Sequence, residues 1–107
     1  MCVLLDENLP RKLARLFGPR VEVVTVRERG WGSKKNGELL AAASGEFDAL
    51  LAADRNLPDQ QNLARYDVTV LVLEARSNTL EDLAPLVPGA IEALRRARRG
   101  EAARVEA

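Results

Sequence analysis

Asp48-Ala49-Leu50-Leu51-Ala52-Ala53-Asp54 is the stretch on which the fold turns. Its apolar run, ended by a carboxylate, reads as a short strand with no polar face, the pattern of a parallel sheet covered by helices on both sides. Val3-Leu4-Leu5 has the same character and runs straight into Asp6. Val68 to Leu73 is the clearest strand in the chain, and the β-branched segment Val21 to Val26 supplies another.

Helical signals alternate with these strands. Pro10 suits a first helical turn with Asn8 as cap, and Leu9, Leu13, Leu16 and Phe17 fall on one helical face before Gly18-Pro19 stops it. Arg27 to Lys35 reads as a loop around Gly30-Trp31-Gly32. A second helix, capped by Asn36 or Ser33, buries Leu39, Leu40 and Ala43 and ends at Gly45. Pro58 opens a short helix through Leu63, and Thr79-x-x-Asp82 resembles a capping box. Pro85 and Pro88 divide the helical stretch that leads into Ala90–Arg99, and residues 100–107 read as a frayed, disordered tail. Strand and helix alternating at this spacing predict a single α/β domain over residues 1–99.

At 107 residues, 47% apolar and 30% charged, the chain is long enough for one core, built from Leu, Val and Ala because aromatics reach only 4%. No apolar run approaches the length of a membrane span, and Asp6 comes too early for a signal peptide, so the expected location is cytoplasmic, with no membrane partner. The chain has no histidine and one cysteine, Cys2. That excludes Ser-His-Asp, Cys-His and His-zinc chemistry and any internal disulfide. Carboxylates, amides, hydroxyls, Lys and Arg remain, which points an enzyme of this sequence toward hard-metal chemistry on oxygen ligands. The net charge is zero but unevenly laid out: residues 8–36 carry eight Lys or Arg against two Glu, while residues 37–92 carry three Arg against ten acids. Basic segments of this kind can meet a polyanion, or can be plain solvated faces.

Asp6 ends the first strand and Asp54 the third, so both emerge at the carboxyl edge of a parallel sheet, where ligand crevices form. If those strands are neighbours, the two carboxylates converge. Carboxylates brought together repel and call for a proton or a cation, and Mg²⁺ or Mn²⁺ prefers such oxygen ligands. Glu38, at the start of the second helix on the same edge, is the natural third ligand. The alternative is that Asp6 and Asp54 simply cap the segments that follow them. Arg11, Arg27, Lys34, Lys35 and Arg55 lie in segments expected near this edge and could hold phosphates; Arg55, directly after Asp54, is the strongest of them. Trp31 could stack on a base or anchor its loop to the core, and Cys2 reads as inert packing.

Val3-Leu4-Leu5-Asp6-Glu7-Asn8-Leu9-Pro10 resembles the opening of the short PIN-like domains known as DUF5615, and Ala52-Ala53-Asp54-Arg55-Asn56-Leu57 resembles their second acidic motif. Arg27-Glu28-Arg29-Gly30-Trp31-Gly32 and Asn36-Gly37-Glu38-Leu39-Leu40 fit between them, so the likeness covers about residues 1–87. It implies a compact PIN-like three-layer sandwich whose four-stranded parallel sheet, in order 2-1-3-4, is flanked by helices. It also implies a metal-dependent endoribonuclease with RNA as substrate, the toxin of a VapC-like toxin–antitoxin pair with a cognate antitoxin as partner. On this likeness Asp6 and Asp54 are catalytic metal ligands for Mg²⁺ or Mn²⁺, and Asn8 supports Asp6 by hydrogen bonding. Asn36 stands where many of these proteins carry Asp; it can ligate through its carbonyl oxygen but brings no charge. Glu38 is the substitute, and Glu7, Asp59 or Glu74 could complete the set.

Two other readings stay open from the residues. A receiver-like domain would hold Mg²⁺ on Asp6 and Glu7 and accept a phosphoryl group on Asp54, although a fifth strand and a following Lys are missing from the expected pattern. A catalytically silent binding module would use Ile91, Leu94 and the Arg95–Arg99 cluster of the last helix to form a homodimer or to hold an acidic partner.

Overall fold

The computed structural model describes residues 1–106. Five strands, β1 (Cys2–Leu5), β2 (Glu22–Thr25), β3 (Ala49–Ala52), β4 (Thr69–Glu74) and β5 (Ala102–Glu106), form one sheet in the order β2-β1-β3-β4-β5. Every pairing is parallel. The expected four strands and their order are present, and the sheet is one strand wider than the sequence suggested. Residues 102–106, read as part of a frayed tail, pair with β4 from Val70↔Ala102 to Glu74↔Glu106; the last residue of that expected tail, 107, lies outside the described residues.

Among the described residues there are four α-helices, α1 (Asn36–Ala43), α2 (Leu57–Gln60), α3 (Leu80–Leu83) and α4 (Val87–Arg96), besides 3-10 segments. The strand period of two sorts the core into two sets. Val3, Leu5, Ala49, Leu51, Leu71 and Leu73 face Leu13, Phe17, Leu83, Val87, Ala90 and Leu94. Leu4, Leu50, Ala52, Val70 and Val72 face Leu39, Leu40, Ala43, Phe47 and Leu57. β3 is buried at all four positions, as a central strand between two covering layers must be.

Local departures from the sequence reading have visible causes. The segment Arg11–Phe17 winds as a 3-10 helix starting from Pro10, whose carbonyl accepts the Leu13 N–H at 3.0 Å. Asn8 does not cap it; its side-chain amide donates to Asp6 instead, and Leu16 is left 44% exposed. Lys35, rather than Asn36 or Ser33, is the N-cap of α1. Thr79 caps α3 as expected, its hydroxyl accepting the Asp82 N–H at 3.3 Å, while Ser77 donates to the Asp82 carboxylate at 2.6 Å. A 3-10 turn at Ala84–Leu86 divides α3 from α4, with Pro85 and Pro88 each in the opening turn of the segment it enters.

The amino edge of the sheet is tied by Asp48. Its carboxylate accepts the Cys2 N–H at 2.8 Å and pairs with Arg99 at 2.6 Å, and Arg99 also reaches Asp67 at 3.2 Å. The Cys2 N–H first, and then Arg99, hold the Asp48 carboxyl below the usual carboxylate range. A depressed carboxyl stabilises the fold above its unfolded pKa of about 3.9, and that contribution disappears as pH falls through the folded value. Asp48→Asn is therefore expected to flatten the acid limb of the stability profile below about pH 4, read by urea unfolding across pH, with wild type and variant converging at the acid end. Equal slopes in the two proteins would refute the assignment.

Candidate metal and phosphate site at the carboxyl edge

An all-parallel sheet places all its strand C-termini on one edge, and in the order 2-1-3-4-5 the strand direction of travel reverses between β1 and β3. Asp6 and Asp54 follow the ends of these two neighbours. The Asp6 N–H donates to the Leu51 carbonyl at 3.0 Å, which locks the end of β1 against β3.

Asp6 is partly buried. Its Oδ1 accepts the Glu7 N–H at 2.9 Å and its Oδ2 accepts the Asn8 amide at 3.4 Å. Burial pushes its carboxyl above the usual range; the Glu7 N–H opposes the rise, while the negative charges of Glu7 and Asp54 add to it. Asp54 uses Oδ1 to accept the Asn56 N–H at 2.9 Å, and its carbonyl accepts the Leu57 N–H at 3.2 Å, so this aspartate also shapes the turn into α2. Among the described residues no Lys or Arg forms an ion pair with Asp6, Glu7 or Asp54. Negative charge is thus gathered at the reversal point with no Lys or Arg in direct ion-pair contact, although Arg11 and Arg27 line the cavity beside Asp6.

The other predicted residues are distributed as follows. Glu7 is exposed, with its Oε2 only 3.1 Å from where a side chain on Gly32 would begin, so a glycine there lets the loop pass close to the carboxylate. Glu38 turns back on its own helix and accepts the Lys35 N–H at 3.1 Å. Asn36 is the first residue of α1 and half-buried, and Lys35 beside it is exposed. Among the described residues no three His, Cys, Asp or Glu side chains are grouped to hold a metal, so Asp6, Asp54 and Glu38 do not form a preassembled triad. Asp59 sits exposed on α2. Glu74 is engaged by Arg104 at 3.1 Å and lies 3.9 Å from Arg55 Nε.

A cavity of about 270 Å³ opens beside Asp6, lined also by Glu7, Pro10, Arg11, Thr25 and Arg27. Arg27 is set there by a reciprocal turn at the end of β2: the Glu28 carboxylate accepts from the Thr25 hydroxyl at 3.1 Å, and the Thr25 hydroxyl accepts the Glu28 N–H at 3.0 Å. Trp31 is an anchor. Its ring meets Phe47 edge-on at 6.1 Å, Arg29 lies over both rings, and the Trp31 backbone N–H donates to the Val26 carbonyl at 3.0 Å. Cys2 packs against the same core layer, and burial raises its thiol pKa.

One residue at this edge was not singled out from the sequence. Arg104 of β5 reaches across β4 to donate to the Arg55 carbonyl at 3.2 Å as well as to Glu74, and so ties the turn that carries Asp54 to the edge strand. Exposed itself and alternating with half-buried Ala103 and Val105 in a short Ala-rich segment, it carried no recognisable strand signal.

Fold and site together define an α/β domain with a doubly wound parallel sheet and a carboxylate pair at its reversal point. No family model, curated protein or solved structure matches the chain. No helix among the described residues is long and apolar enough to cross a membrane.

Proposed function

We propose that the chain is a compact PIN-like, metal-dependent endoribonuclease, with Asp6 and Asp54 as its metal-holding carboxylates. The observation that carries this reading is the pair of strand-end aspartates on adjacent β1 and β3, accompanied by Glu7, none of them held in an ion pair by a Lys or Arg among the described residues. Mg²⁺ commonly takes one or two protein carboxylates and fills its remaining positions with water and substrate phosphate. The two aspartates suit that kind of site, and Glu38 is not needed to complete it. Mg²⁺ or Mn²⁺ held there would supply charge neutralisation and water activation for in-line hydrolysis of a phosphodiester.

The chain's own residues then divide the work. Asn8 orients the Asp6 carboxylate through its amide, and the Asn56 N–H orients that of Asp54. Arg11 and Arg27, on the cavity beside Asp6, suit the phosphates flanking the cleaved bond. Arg55 and Lys35 are exposed and suit the more distant backbone. The likeness to short PIN-like domains adds the reading of a toxin paired with an antitoxin. Incubating the protein with a mixed single-stranded RNA pool and Mn²⁺ tests the proposal, which predicts cleavage by wild type that is absent with chelator and absent in Asp6→Asn.

The same site makes a prediction about stability. A carboxyl whose folded pKa is raised favours the fold while protonated and loses that contribution as pH rises through the folded value. At neutral pH the charged Asp6 therefore strains the fold, and Asp6→Asn is expected to raise the melting temperature in metal-free buffer. Adding Mn²⁺ should raise the wild-type melting temperature and leave the variant's unchanged. A variant that is less stable than wild type, or equally shifted by Mn²⁺, would contradict the site.

The fifth strand favours one competing reading, because 2-1-3-4-5 is also the order of flavodoxin-like domains, including phosphoacceptor domains. In that case Asp54 takes a phosphoryl group, and acetyl phosphate with Mg²⁺ should add the mass of one phosphoryl group to that residue. No lysine lies in β5, where such a domain would need its cation; Arg104, on that strand, is held by Glu74 and the Arg55 carbonyl.

A further inference from the structure

We infer that β5 and the groove beside it form a homodimer interface, in which two copies of the chain pair antiparallel through their β5 strands. Among the described residues β5 is the outermost strand of the sheet beside β4 and is paired on one side only. The register fixes which backbone groups are spoken for. The Val70 N–H donates to the Glu101 carbonyl, and Val70 is opposite Ala102, so the backbone groups of Ala103 and Val105 point toward β4. Those of Ala102, Arg104 and Glu106 point outward, as a ready template for another strand.

The charges on that edge discriminate between registers. An antiparallel pairing centred on Val105 sets Arg104 opposite Glu106 of the second copy and Glu106 opposite its Arg104, in hydrogen-bonded pairs that use the outward groups. A pairing centred on Arg104 would instead set two arginines face to face, which is unfavourable. The edge is therefore self-complementary in one register, as a two-fold interface requires.

A second feature continues the same surface. A groove of about 430 Å³ runs between α4 and β5, floored by Gly89, Ala93, Ala97 and Ala103. Gly89 leaves room for Val105, whose Cγ1 lies 3.2 Å from where a side chain on that glycine would begin. Small side chains keep the helix low beside the open strand, so a second α4 can approach across the two-fold axis. Glu92 and Arg96 flank the groove and pair with each other at 3.1 Å within one chain; an antiparallel partner helix exchanges these contacts, Glu92 of one copy meeting Arg96 of the other. A second copy satisfies both the strand and the helix surfaces, and the inference does not depend on the ribonuclease reading.

Sedimentation equilibrium on the full chain tests it. Wild type is expected to reach twice 11.7 kDa as concentration rises. Glu106→Pro removes an outward N–H from each strand while leaving the β4 ladder intact, and should weaken dimerisation by about tenfold or more. Arg96→Glu should weaken it as well, and the double exchange Glu92→Arg with Arg96→Glu should restore it. Circular dichroism and urea unfolding establish that each variant is folded. A wild type that stays monomeric at several hundred micromolar overturns the inference, and so does a dimer indifferent to Glu106→Pro and to Arg96→Glu.

Discussion

Asp54→Asn is expected to abolish Mn²⁺-dependent RNA cleavage while leaving the protein folded. The substitution keeps the size of the side chain and keeps an oxygen able to accept the Asn56 N–H, which Asp54 Oδ1 accepts at 2.9 Å. The turn into α2 therefore survives, whereas one of the two proposed metal-holding carboxylates is lost. Changes in residues that merely orient metal ligands typically cost ten- to a hundredfold in affinity or activity, so losing a ligand should cost at least about a hundredfold. Initial rates on a single-stranded RNA pool, with wild type and variant purified identically, check this. Equal rates would mean a contaminating nuclease and would remove the chief support for the proposed activity. Asp54→Asn also blocks phosphoryl transfer to this residue, so the wild-type readouts separate the two functional readings: cleavage without any phosphoryl adduct would leave the nuclease alone.

The largest expected effect on stability comes from Leu50→Ala. Leu50 is fully buried at the centre of β3, registered with Leu4 on β1 and Val70 on β4. Its side chain packs in the layer with Leu39, Leu40, Phe47 and Leu57. Removing it leaves a cavity in a close-packed region that strands on both sides hold open, and such truncations cost about 2–5 kcal/mol. A domain of this size has only about 5–15 kcal/mol in total. Urea unfolding should show a midpoint displaced far below that of wild type at an unchanged slope. Leu16→Ala, at a position 44% exposed, is the matched control and should have little effect.

These expectations rest on different amounts of sequence information. Leu50 was assignable to a core strand from its neighbours alone, because unbroken apolar runs ended by Asp are what doubly covered parallel strands look like. The convergence of Asp6 and Asp54 was conditional on β1 and β3 being adjacent, and the sheet order makes them so. Glu38 looked equally well placed, yet a carboxylate at the third helical position finds its nearest donor in the N–H of its own cap, and that local bond holds it. Trp31 was ambiguous until Phe47, distant in sequence, supplied the edge contact that fixes it.

The chain by itself determined its alternation of elements, its core strands and the chemistry left available without histidine or paired cysteines, since these follow from local periodicity and from composition. β5 was decided by the tertiary structure alone. Ala102-Ala103-Arg104-Val105-Glu106 has little intrinsic strand preference. It becomes a strand because β4 offers an unpaired edge, Gly89 makes room for Val105, and Arg104 finds Glu74 and the Arg55 carbonyl across the sheet. Hydrogen bonds to a neighbour far away in sequence leave no trace in local pattern, so the strand that ties down the Asp54 turn became visible only once the whole sheet was assembled.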